Sequence, residues 1–115
     1  MSTERRPRQR AAPAPLCCIG PGGLKLILRE DHASPVTAVT ASFLGGTRFE
    51  TPARQGLSYF TQRLAARGTT MRSSEEVAEE FEFVGAAFSP FAAKDLFGAS
   101  LTLLSRHFES GLRLL

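Results

Sequence analysis

Long apolar stretches are missing from this chain of 115 residues, because Gly, Ser, Thr or charge interrupts each candidate run within a few positions. None approaches the roughly 18 consecutive apolar residues that a membrane-spanning helix needs, so no transmembrane segment is expected. Cysteine is equally scarce. Cys17 and Cys18 are adjacent, which is poor geometry for a mutual disulfide and matches no CxxC metal spacing. They read as small hydrophobes on a segment entering the domain. The only histidines, His32 and His107, lie far along the chain in unrelated contexts, so neither thiol has a neighbouring base and no thiol nucleophile is encoded. His32 reads as a turn residue, and His107 sits in the first turn of a helix, where capping or exposure to solvent is the default.

An excess of charge is also absent from most of the sequence. Arg5, Arg6, Arg8 and Arg10 against Glu4 place the whole net charge of +3 in the first ten residues, leaving ten basic and ten acidic residues in the remainder. A basic domain surface is lacking, so only the tail could make counterion-releasing phosphate contacts and no nucleic-acid partner is expected. Residues Met1 to Pro15 are rich in Arg, Pro and Ala and lack apolar periodicity. They read as an unstructured basic leader, taken through residue 18, ahead of a domain over residues 19–115. No apolar segment follows the arginines, which excludes a secretory signal. Pro7, Pro13, Pro15 and Glu4 weigh against the amphipathic helix of a mitochondrial presequence. A soluble, cytoplasmic chain is favoured, with mitochondrial placement as the alternative.

What remains has an ordinary globular composition, 43% hydrophobic and 22% charged, enough for one small domain or a piece of a larger one. Leu24, Leu26 and Leu28 alternate with Lys25 and Arg29, as in a half-buried strand running to Glu30. The turn Asp31 to Pro35 is expected to return the chain into a second strand, Val36 to Leu44, paired antiparallel with the first. Leu57, Phe60 and Leu64 then mark an amphipathic helix over Gln55 to Arg67. Ser73 with Glu76 forms a capping box for a second helix, whose stripe is Val77, Phe81 and Val84 and whose C-terminal cap is Gly85. Its five glutamates read as a solvated face. Ala86 to Ala93 and Leu96 to Leu103 form a second hairpin joined by Lys94-Asp95, in which Pro90 demands an edge position or a bulge. Ser105 is expected to cap a last helix striped by Phe108, Leu112 and Leu115, and the sequence stops while that helix is still apolar. The order ββααββα describes an α+β fold, an antiparallel sheet layered with helices, truncated at its C-terminus.

Several short motifs fall in a telling order: Gly22-Gly23-Leu24 before an alternating strand, Glu30-Asp31-His32, Gly46-Thr47-Arg48-Phe49-Glu50, Gly56 through Arg63, and Gly68-Thr69. With Ser74-Glu75-Glu76, Gly85 and Lys94-Asp95, the set from Gly22 to Leu115 resembles the opening of the pitrilysin/insulinase family of zinc peptidases, which includes mitochondrial processing peptidase. The resemblance implies a LuxS/MPP-like fold. Active members carry His-x-x-Glu-His on the helix after Gly-Leu, two histidines for the metal and a glutamate as general base. The matching positions here are Tyr59, Gln62 and Arg63, still on one helix face at i, i+3 and i+4. A guanidinium has no lone pair to give, an amide cannot accept a proton near neutral pH, and a tyrosine ligates only as a phenolate. The family's third ligand would lie beyond Leu115. No catalytic residue, no metal and no cofactor is therefore expected on this chain.

Two roles remain open for these three residues. Tyr59 can pack on the helix face while Gln62 and Arg63 are solvated or bonded across the sheet. Alternatively, all three line the wall of a peptide-binding chamber. The resemblance implies a non-catalytic, peptidase-like subunit that associates with an active subunit of the same family, and with peptides. The alternatives are part of a longer zinc metalloendopeptidase with ligands elsewhere, and an interaction module that uses its basic tail.

Overall fold

In the computed structural model residues 13–115 are described, so most of the expected leader lies outside the described residues. The chain divides into two compact units between Ser34 and Pro35.

The first unit is a two-stranded antiparallel ribbon, β1 (Leu16–Ile19) and β2 (Lys25–Leu28), registered with Leu16 opposite Leu28 and Ile19 opposite Lys25. Gly22 and Gly23, at φ 69° and 81°, turn the chain between them, a conformation that glycine adopts without steric cost. Cys17 and Cys18 are successive residues of β1, so they point to opposite faces of the ribbon, and both are free and exposed. The expected boundary between residues 18 and 19 thus runs through a strand.

The second unit is a three-stranded antiparallel sheet with three helices. Its strands are β3 (Val36–Leu44), β4 (Ala87–Ala92) and β5 (Leu96–Leu104), in the order β3-β5-β4. The expected hairpin between the Leu24 and Val36 segments does not form: β2 takes β1 as its partner and β3 takes β5. β3 and β5 are both nine residues long and match over their whole length, whereas β2 has four residues. The Asp31 turn closes locally, the Asp31 carboxylate accepting the Ala33 amide at 3.0 Å, without feeding a ladder.

The β4–β5 hairpin forms as expected, and Pro90 does lie on an edge strand. Arg48 pairs with Asp95 at 2.9 Å, tying the segment after β3 to the hairpin turn. The first helix, α1 (Leu57–Leu64), is shorter than expected, because Gly56 precedes it at φ 90° and Pro52–Arg54 makes a separate tight turn. The second, α2 (Ser74–Phe83), has both arms of the predicted capping box, with Ser73 Oγ accepting from Glu76 N–H and Glu76 accepting from Ser73 N–H. Gly85 at φ 60° ends it with a paired cap, Gly85 N–H to Glu82 O and Ala86 N–H to Phe81 O.

The last helix, α3 (Phe108–Leu114), corrects the sequence reading at its start. Ser105 does not cap it. The Ser105 hydroxyl pairs with Thr37 Oγ at 2.8 Å and its amide donates to Pro35 O, so the residue is spent on the end of β3. His107 stands at the cap position and makes no side-chain capping bond. α3 meets the sheet through Gly111, where a Cβ would collide with Leu103, while Phe108, Leu112 and Leu115 stay exposed. The buried apolar core comprises Val84, Leu101 and Leu103. Phe81 of α2 stacks on Phe88 of β4 with ring centroids 5.0 Å apart, extending that core toward α1.

Candidate functional site

α1 is held at both ends of its inner face. At its start the Glu50 carboxylate accepts the amides of Gly56 and Ser58, each at 2.7 Å, satisfying donors that a helix N-terminus otherwise leaves without partners. These contacts lower the Glu50 pKa from its ordinary value: the Ser58 amide contributes most, then the Ser58 hydroxyl and the Gly56 amide, against a smaller opposing effect of desolvation. One turn further on, the Gln62 side-chain amide donates to the Pro90 carbonyl at 2.8 Å. Gln62 therefore reaches the sheet, Ser58 lines the same cleft, and the expected apolar stripe of Leu57, Phe60 and Leu64 is exposed.

The three motif positions part company here. Gln62 is half-buried against β4 and lines a cleft of about 620 Å³ bounded by α1, α2, the sheet and the end of α3. Tyr59 and Arg63 are outside the cleft lining. They pair with each other, the Arg63 guanidinium carbon 5.7 Å from the centre of the exposed Tyr59 ring, as a cation over an aromatic face. The cleft wall includes several phenylalanines, with Phe43 and Phe97 stacked at 5.6 Å and Phe49, Phe81, Phe88 and Phe91 also in the lining. Glu50 also lines the cleft. Sequence reasoning assigned it no role, although an acidic residue just ahead of a Gly-Leu-Ser helix start is a recognisable capping signal.

This donor set does not fit zinc. The one amide at the middle position spends its N–H on a backbone carbonyl, and a guanidinium and a phenol occupy the other two positions. Among the described residues there is no group of three His, Cys, Asp or Glu placed to hold a metal ion, and no helix is long and apolar enough to cross a membrane. His32 lies 3.6 Å from Glu30 with both side chains exposed, and His107 accepts from Arg106 Nε at 3.1 Å.

Residues 25–115 match the insulinase family, peptidase family M16. An uncharacterized zinc protease of Bacillus subtilis is 27% identical over 93 residues, which are 81% of this chain and 23% of that protein. Cytochrome b-c1 complex subunit 1 of Caenorhabditis elegans is 30% identical over 69 residues, 60% of this chain and 15% of that one. Among solved structures, a peptidase M16 inactive domain from Pseudomonas fluorescens superposes with a TM-score of 0.80 at 26% identity, over 87% of this chain and 24% of that one. A protease from Helicobacter pylori shares the fold, with a TM-score of 0.78 at 15% identity over 90% of this chain and 25% of that one. The chain spans about a quarter or less of the length of these relatives. Its ordered motifs, its α+β topology and these matches agree, and the chain belongs to the insulinase family, peptidase family M16.

Proposed function

We propose that this chain is a non-catalytic, peptidase-like component that works by associating with an active subunit of its own family. The observation that carries the reading is the use of the motif face: Gln62 is a tether to Pro90, and Arg63 is stacked on Tyr59. The position that serves as base in active members here ties α1 to β4, and the two metal positions carry a guanidinium and a phenol ring that pair with each other. The similarity to a domain described as inactive and to a respiratory-complex subunit supports the same reading. In this role the chain binds no zinc, and Gln62 with the cleft forms part of a peptide-facing wall, with Tyr59 and Arg63 on the neighbouring surface.

Two measurements test it. Metal analysis and peptide-cleavage assays of the purified chain should find neither bound zinc nor turnover; tight stoichiometric zinc with cleavage by the chain alone would overturn the proposal. Native mass spectrometry of the protein drawn from its own cells should find it with a zinc-bearing, peptidase-like subunit. Recovery as a lone chain would remove the companion role. The similarity to a zinc protease of which the match covers only 23% favours a second reading, in which this sequence is part of a longer zinc peptidase. A His-x-x-Glu-His elsewhere in the same polypeptide would establish that alternative.

A further inference from the structure

We draw no further inference here: the strongest candidate, the phenylalanine-lined cleft between α1, α2 and the sheet with Arg54 and Arg72 in its wall, belongs to the site already described, and nothing in the structure shows what covers it.

Discussion

Changing Gln62 to Glu returns a carboxyl to the middle position of the motif and reverses the polarity of its one contact. The wild-type amide donates to Pro90 O at 2.8 Å from a half-buried position. An ionised carboxylate has no proton to give and faces an acceptor, so the variant loses a neutral hydrogen bond worth roughly 0.5–1.5 kcal/mol and leaves the carbonyl without its partner, about 1–2 kcal/mol in all. For a domain of this size that lowers the melting temperature by roughly 5–15 °C. Protonation gives the donor back, because only the neutral carboxyl can bond Pro90. The folded-state pKa of the introduced glutamate is therefore raised above its unfolded value. The folded protein holds that proton more tightly, so the variant is most stable below the unfolded pKa and loses stability as pH rises through the folded one. Thermal melts of wild type, Gln62→Glu and Gln62→Leu between about pH 4 and pH 8 separate the effects, since the leucine variant lacks the donor at every pH. Equal melting of Gln62→Glu and wild type at neutral pH, or a pH dependence no steeper than that of Gln62→Leu, would refute the tether between α1 and β4.

Three further outcomes are expected. Gly98→Ala should destabilise the sheet, because a Cβ there would collide with the Ala41 carbonyl oxygen and come within 2.9 Å of the Phe91 ring; overpacking of about 1–3 kcal/mol outweighs the roughly 0.5–1 kcal/mol that alanine gains over glycine, and an unchanged urea midpoint would contradict it. Glu50→Gln should flatten the acid limb of stability, because the lowered Glu50 pKa gives the folded state a benefit present above the unfolded carboxyl pKa and lost as pH falls through the folded one; an acid denaturation curve superimposable on wild type would refute the cap. Tyr59 is the only tyrosine in a chain without tryptophan, so Arg63→Ala should alter the tyrosine emission while changing stability by less than about 1 kcal/mol, and unchanged emission would deny the stacking.

The features legible in the sequence are those in which one short segment carries its own geometry. Ser73 and Glu76 are three residues apart, and the capping box between them needs nothing from elsewhere. Gly85 ends α2 for a reason internal to the chain, and Pro90 can belong only to an edge. Several misreadings involve a partner distant in sequence. The Asp31 turn looked like a hairpin connection, yet β2 pairs with β1, and the ladder of β3 is with β5, some 60 positions along. Ser105 had the right residue type and place for a cap, but its hydroxyl went to Thr37. α1 showed an apolar stripe at helical spacing, yet Leu57, Phe60 and Leu64 are exposed and it is Gln62 that bonds the sheet, at Pro90. At the site itself, the residue types at the three motif positions were plain in the sequence, whereas the separation of Gln62 from Tyr59 and Arg63 depended on which face of α1 the rest of the chain would hold.

That separation bears on how a peptidase scaffold keeps its shape without its metal. A zinc ion bound by two residues of one helix and by a third from another element acts as a cross-link between them. When the ligands go, something else must fix the helix. Here the cap from Glu50 fixes the start of α1, and the Gln62 bond to Pro90 fixes its middle to the edge of the sheet. The substitution that removes the general base thereby supplies a donor that a glutamate could not. Glutamine here favours packing, so a change to glutamate is costly unless Pro90 changes with it. A double-mutant cycle over Gln62→Glu and Pro90→Thr tests that coupling. Residue 90 faces outward, and a threonine there restores an edge N–H able to donate to the introduced carboxylate. The double variant should recover most of the stability lost by Gln62→Glu alone, and strict additivity of the two changes would show that the helix is held by other contacts.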